Sequence, residues 1–279
     1  MISIQDLSFH YKRGNPLLSE VNLDLKSGKI YGLFGLNGVG KTTLLNNIAG
    51  MLFPKSGKCL LNGESTKFRR PETMSELFVV PEQFDLPKLT GQKYIDLHAM
   101  FYPRFDIQLL ENILSEFEID KSKKLPELSF GQRKKFLIAF GISTQSGLLL
   151  LDEPTNGLDI PSKSQFRKIV ASLDIESRCI VISTHQVRDL GTMIDHVLVL
   201  KDEKIVFNQS LEEIEKNLSI KKIATDESQE YIYGEEAFGG IHAILSGSVN
   251  ESEELDLEIL FNGVIQKTDE INQQFEVKS

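Results

Sequence analysis

The sequence predicts an α/β fold: a mostly parallel sheet covered by helices, joined by an antiparallel β subdomain, a helical subdomain and a small C-terminal α+β extension. Three observations carry this. Strand-like and helix-like segments alternate from residue 29 to about residue 200, the pattern of parallel strands joined by crossover helices. Residues 2–11 and 18–25 instead alternate apolar and polar side chains, as half-exposed antiparallel strands do. Between residues 91 and 128 the apolar spacing turns helical, which interrupts the strand-helix alternation.

The chain's 279 residues can bury one large α/β core and something smaller. Its apolar content of 41% and charged content of 25% fit an ordinary soluble globular protein. No apolar run approaches the ~20 residues of a membrane helix, and the first residues lack a basic region followed by an apolar one. A cytoplasmic protein with no membrane-spanning segment of its own is therefore expected. Cys59 and Cys179 each lie within an apolar strand pattern and read as buried free thiols, without metal-ligand spacing. The net charge of -9 resides at one end: residues 219–279 carry 4 Lys/Arg against 13 Asp/Glu. That acidity argues against nucleic acid as a partner of this end.

Taking the elements in order, residues 29–34 read as a short buried strand and residues 42–50 as a helix ending on glycine. Between them stands Gly35-Leu36-Asn37-Gly38-Val39-Gly40-Lys41-Thr42, a full match to the phosphate-binding loop. By chance the fixed residues of this pattern coincide in roughly one chain in a hundred of this length. The flanking strand and helix lower that further, so the core is read as that of a P-loop NTPase. Glycines at 35, 38 and 40 let backbone N–H groups, including those near Asn37 and Thr43, turn inward around a phosphate. Lys41 adds a point charge for the β and γ phosphates, and the Thr42 hydroxyl is placed to ligate Mg²⁺.

Residues 58–63 look like a further antiparallel strand, and Val79-Val80-Pro81 like the end of a buried one. In the helical insert, Tyr94, Ile95, Leu97, His98 and Phe101 form one helical stripe and Leu109, Leu110, Ile113, Leu114 and Phe117 another, separated at Pro103. Ser129 precedes a helical run with Phe136, Leu137, Phe140 and Ile142 on one face, so it reads as an N-cap that leaves amides free for a phosphate. Arg133, Lys134 and Lys135 raise the local positive potential, and surface solvation explains them equally well. Leu148-Leu149-Leu150-Leu151-Asp152-Glu153 is an apolar strand ending in two carboxylates, which places them at the carboxyl edge of the sheet. There Asp152 can hold Mg²⁺ through water, and Glu153 can orient and deprotonate an attacking water. Residues 197–207 read as a hairpin and residues 211–218 as a short helix. Residues 231–233, 241–245 and 255–261 look like short strands.

At this point the chain resembles the ATP-binding cassette (ABC) ATPases, over about residues 1–218. Leu128-Ser129-Phe130-Gly131-Gln132 is similar to their signature segment, with Phe130 in place of the commonest glycine. Gly157-Leu158-Asp159 falls where their D-loop lies, His185 matches the switch histidine, and Tyr11 sits where an aromatic ring stacks on adenine. The segment after Val80 resembles the Q-loop: alignment on the strand and proline puts Glu82 at the metal-contacting position, whereas identity favours Gln83, the residue adopted here.

The resemblance implies an ABC ATPase domain over residues 1–218, with its helical subdomain at about 91–128, followed by an acidic, β-rich extension over residues 219–279. It implies ATP and Mg²⁺, catalytic roles for Lys41, Glu153 and His185, and metal contacts from Thr42, Gln83 and Asp152. Tyr11 and the loop residues Gly35, Asn37, Gly38, Gly40, Lys41, Thr42 and Thr43 would bind ATP of one subunit. Ser129 and Gly131 would meet it from a second ATPase subunit, for which a homodimer suffices and a heterodimer is compatible, and Gln132 and Asp159 are also implied to bind ATP. The partner implied is a separate membrane-spanning permease, at the inner face of the cell membrane. The segment Phe101-Tyr102-Pro103-Arg104-Phe105-Asp106 looks like bacterial export-type subunits. A soluble ABC ATPase serving translation or DNA maintenance is the alternative; such proteins usually carry two cassettes or a long coiled coil, and neither is found here.

Overall fold

The computed structural model describes residues 1–12, 14–224, 230–248 and 255–276. Strands Ile2–Phe9 (β1) and Leu18–Leu25 (β2) precede Lys29–Phe34 (β3), which runs through the glycine-rich loop into helix Lys41–Ile48 (α1). Ser56–Leu61 (β4), Glu64–Ser65 (β5), helix Pro71–Ser75 (α2) and Leu77–Val80 (β6) follow. Helices Gly91–His98 (α3), Ile107–Glu116 (α4) and Phe130–Ser143 (α5) lead to Leu148–Asp152 (β7), Ile160–Ala171 (α6) and Cys179–Thr184 (β8). The chain continues through His196–Lys201 (β9), Lys204–Ser210 (β10), helix Leu211–Asn217 (α7) and strand Leu218–Ile223 (β11). Tyr233–Ala237 (β12), Gly240–Ser246 (β13) and helices Leu257–Gln266 (α8) and Thr268–Asn272 (α9) come last.

The central sheet has the order β10-β9-β3-β8-β7-β6, parallel except for the edge strand β10, which pairs antiparallel with β9. Its inner strands are mostly apolar because both faces are covered, and successive residues go to opposite sides. Tyr31, Leu33, Leu148, Leu150, Val181, Leu198 and Leu200 pack with Ile4, Leu23, Cys59 and Leu44, against α1 and the antiparallel sheet β2-β1-β4-β5. Ile30, Phe34, Leu149, Leu151, Ile180, Ile182, Val197 and Val199 pack instead with Phe140, Phe166 and Phe261, under the helices. The α/β reading and the antiparallel layer are thus observed. Both cysteines are buried and free, and burial pushes each thiol up to about 12.

The helical insert begins where Thr90 accepts from the Lys93 amide and α4 where Asp106 accepts from the Leu109 amide, ordinary N-caps. Tyr94 packs edge-on against Phe136 and Phe140, tying α3 to α5.

Two expectations at the C-terminal end are corrected. Residues 255–261 are not a strand: from Leu257 they form α8, whose buried Leu257, Leu260, Phe261 and Val264 share one face and whose N-cap Asp256 accepts from the Glu258 and Ile259 amides. The alternation Leu255, Leu257, Ile259, Phe261 imitates a strand, but capping and continued apolar spacing beyond Phe261 favour the helix. Residues 231–232 lie outside β12, and β11 is a strand that the sequence reading lacked. The extension is therefore α+β, a sheet of order β11-β13-β12 with α8 laid on it. Its apolar residues Leu218, Tyr233, Ile244, Leu260 and Phe261 belong to the same core cluster as Phe34 and Val199 of the central sheet.

Candidate functional site

Parallel register aligns the carboxyl ends of the three central strands. Phe34 of β3 stands opposite Thr184 of β8, and Asp152 of β7 opposite Ser183. The phosphate loop, Glu153 and His185 consequently emerge side by side, at the edge where open α/β sheets place ligands.

The loop's conformation needs its glycines. Gly38 and Gly40 have φ of 78° and 115°, and a Cβ on Gly35 would come within 2.7 Å of the Leu200 carbonyl oxygen. Gly40 is also the N-cap of α1 and brings no side-chain cap, which leaves the first-turn amides to an external acceptor. The cleft here has a volume of about 250 Å³ and is lined by Leu17, Asn37, Gly38, Gly40, Lys41, Thr42, Thr43, Glu82 and Glu153.

Lys41 is buried, with Nζ donating to the carbonyls of Gly35 (2.8 Å) and Leu36 (3.3 Å) and standing 3.4 Å from Glu153 Oε1. Thr42 Oγ1 donates to Asp152 Oδ2 at 2.7 Å, and Ser183 Oγ holds the other carboxylate oxygen at 2.5 Å. His185 Nδ1 lies 2.9 Å from Glu153 Oε1. Glu153 is buried, its Oε2 has no partner, and its φ is 44°. A non-glycine residue in that region costs on the order of 1–3 kcal/mol, a strain found characteristically at functional sites.

These donors suit Mg²⁺ shared with a phosphate. Thr42 Oγ1 and Asp152 Oδ2 are hard oxygens already converging, and Glu153 offers a buried, unsatisfied acceptor beside them. Among the described residues, no cluster of three or more His, Cys, Asp or Glu could close round an ion by itself. Thr42 and Asp152 would hold such an ion, with phosphate and water completing its shell.

The structure puts Glu82, not Gln83, on this cleft. Gln83 is exposed, while Glu82 lines the cavity and its Oε1 accepts from Asn156 Nδ2 at 3.3 Å. Asn156 Oδ1 in turn accepts from Gln186 Nε2 at 3.3 Å, and that amide lies 3.5 Å from His185 Nε2. Asn156, Ser183 and Gln186 thus join the site without having been singled out in the sequence. Only their proximity to Glu153 and His185 in the chain could have signalled them.

Tyr11 is 54% exposed, its hydroxyl is 3.2 Å from Thr43 Oγ1 beside the loop, and the Phe9 ring packs at right angles to its own, 4.9 Å between centres. Ser129, Gly131, Gln132 and Asp159 are not among the residues lining the cleft. Ser129 and Gln132 form a capping box at the start of α5, and Ser129 is exposed. A Cβ on Gly131 would meet the Gly157 carbonyl at 2.9 Å. Asp159 caps α6 through the Ser162 amide, and hydrogen bonds from the Ser162 side chain and amide hold its carboxyl below the usual range.

Of the three basic residues in α5, Lys134 is not a surface charge. It is fully buried, and burial pushes its ammonium down to about 8 against the pull of Asp152, Glu82 and Glu153. In the helix it lies three residues before Leu137, on the inward side.

A glycine-rich cradle, an Asp-Glu pair at a strand end and a switch-placed histidine on this fold define an ATPase of the cassette class. A family model described as ABC transporter matches residues 18–156. The ABC transporter ATP-binding protein YtrB of Bacillus subtilis is 30% identical over 228 residues, 81% of this chain and 77% of YtrB. The methionine import ATP-binding protein MetN of Carboxydothermus hydrogenoformans is 32% identical over 221 residues, 74% of this chain and 65% of MetN. A solved dimeric cassette in a post-hydrolysis state bound to ADP and Pi matches 76% of this chain and 99% of its own, with a TM-score of 0.67 at 23% identity, a likeness of fold. The chain belongs to the ABC transporter family, as an ATP-binding protein.

Proposed function

We propose that this chain hydrolyses ATP at a junction between two ATPase subunits and so drives a separate membrane-spanning permease, in the direction of export. The observation that carries the reading is the split of the site. Lys41, Thr42, Asp152, Glu153 and His185 converge by direct contacts at one cleft, whereas Ser129, exposed at the start of α5, and Gly131 are not among the residues that line it.

In this reading Lys41 and the amides of the loop hold the β and γ phosphates, and Tyr11 offers a stacking face to adenine. Ser129, Gly131, Gln132 and Asp159 of a second subunit close over the γ phosphate. Glu153, with His185 on its Oε1, takes the proton of the attacking water through its free Oε2. Bound Mg²⁺ would neutralise charge on the phosphates, and Thr42, Asp152 and Glu82 would face it. Glu82 takes this role in place of Gln83 because its side chain lines the cleft while Gln83 is exposed. Accordingly, Glu82→Ala should weaken magnesium-dependent nucleotide binding about 10- to 100-fold, while Gln83→Ala stays within about twofold, as read by titrating magnesium into the ATP complex.

Among the described residues no helix is long and apolar enough to cross a membrane, so the transport function requires a partner. The groove between α2, β6 and α3, lined by Met74, Phe78, Tyr94 and Tyr102, with Met100 and Phe101 exposed close by, offers that partner an apolar seat. The export direction is supported by the Phe101–Asp106 segment, although MetN is named for import. Detergent extracts test the assignment. Stoichiometric co-purification with a multi-helix membrane protein that stimulates ATP hydrolysis is expected, and association with ribosomes or DNA in its place would favour the soluble class.

A further inference from the structure

Lys134 gathers three segments of chain on one ammonium. Its Nζ donates to the carbonyls of Pro81 (3.2 Å), Glu82 (3.2 Å) and Asp152 (3.3 Å), which uses all three N–H donors of a lysine. It also lies 5.7 Å from the centre of the Phe84 ring, and Phe84 stacks on Phe130 at 5.6 Å with 25° between the planes. A buried cation is tolerated only where partners replace its water, so this arrangement is constructed for the charge and not a surface lysine folded inward. The partners matter functionally: one carbonyl belongs to Glu82, one to Asp152, and the lysine itself to the helix opened by Ser129 and Gly131.

We propose that Lys134 is a positioning residue for the magnesium–nucleotide site, fixing the segment that bears Glu82 against the segment that bears Asp152 and anchoring both to the start of α5. The inference rests on the ATPase reading above and adds a coupling to it. The half-site a subunit uses for its own ATP and the half-site it lends to its partner share one anchor, so displacing the Glu82 segment displaces Ser129 and Gly131 with it. Lys134 is positive beneath Glu82, Asp152 and Glu153, and it makes no hydrogen bond to the phosphate loop. Its loss should therefore spare the magnesium-free contacts of the triphosphate and damage the magnesium-dependent ones.

The test compares wild type, Lys134→Met, Lys134→Gln, Glu82→Gln and the double variant Glu82→Gln/Lys134→Gln. A fluorescent ATP analogue is titrated in EDTA and in magnesium, alongside kcat and KM for ATP. Lys134→Met should keep its EDTA affinity within about twofold and lose about tenfold or more of the magnesium-dependent gain in affinity, with kcat falling more than KM rises. Lys134→Gln keeps a donor without the charge and should fall between the two. The double variant, which removes the Glu82 charge as well as the anchor that positions it, should lose less magnesium-dependent affinity than the separate losses of Glu82→Gln and Lys134→Gln multiplied together. Should Lys134→Met fail to fold, Lys134→Gln carries the test alone. Wild-type magnesium dependence in a folded Lys134→Met or in Lys134→Gln overturns the proposal, and so does an equal loss in EDTA and in magnesium, which would mark a collapsed helix end. A wild-type protein that neither binds nor hydrolyses ATP would instead overturn the ATPase reading itself.

Discussion

Glu153→Gln is expected to bind ATP with near wild-type affinity, to turn it over about 10²- to 10⁴-fold more slowly, and to accumulate as an ATP-bound dimer. The geometry separates these effects. Glu153 offers one oxygen to His185 at 2.9 Å and Lys41 at 3.4 Å, and keeps the other buried without a partner. Glutamine preserves the size and can still present an oxygen on the His185 side, so packing and the positive φ at this position are served equally well. What it lacks is a basic oxygen to receive a proton from water. Because the γ phosphate is what the second subunit closes over in the proposed junction, leaving it uncleaved should trap the two subunits together. Size-exclusion chromatography with ATP and single-turnover kinetics read both consequences, and ordinary turnover by this variant would remove Glu153 from the base role.

Lys41→Ala should fail one step earlier. Its ammonium is a charge-assisted donor buried beside the glycine loop, and deleting such a contact costs about 1.5–3 kcal/mol, equivalent to roughly 10- to 100-fold in nucleotide affinity. Truncation also strands the Gly35 and Leu36 carbonyls and leaves the Glu153 carboxylate with His185 as its direct side-chain partner, which should lower the melting temperature by a few degrees. ATP affinity measured by equilibrium titration decides the matter: an unchanged value contradicts the phosphate contact.

These residues were legible in the sequence because their chemistry is tied to local pattern. An apolar strand that stops at Asp152, or a glycine run that opens a helix at Lys41, announces its place on a parallel sheet before any tertiary contact is known. The strands' uniform apolarity likewise foretold two covered faces. Other features depend on where the chain turns in space. Glu82 and Gln83 are neighbours, and only the course of the backbone after Pro81 decides which side chain enters the cleft. Lys134 has the composition of a solvated charge, and nothing local reveals the three carbonyls waiting for it. Leu255 to Phe261 satisfy a period of two and a helix equally until the Asp256 cap is seen. The strand Leu218–Ile223 carries Lys221 and Lys222 in a short run, too weak a pattern to declare itself.

The way the final helix sits has its own implication. Phe261 meets Phe34 at the end of β3, 6.2 Å between ring centres, while Glu258 forms an ion pair with Arg188, three residues beyond His185. Swinging this helix away would wet both rings, at about 1.5–3 kcal/mol apiece. Helix α8 is thus better understood as a keel than as a flap: it braces the end of β3, from which the phosphate loop projects, and the turn that follows His185.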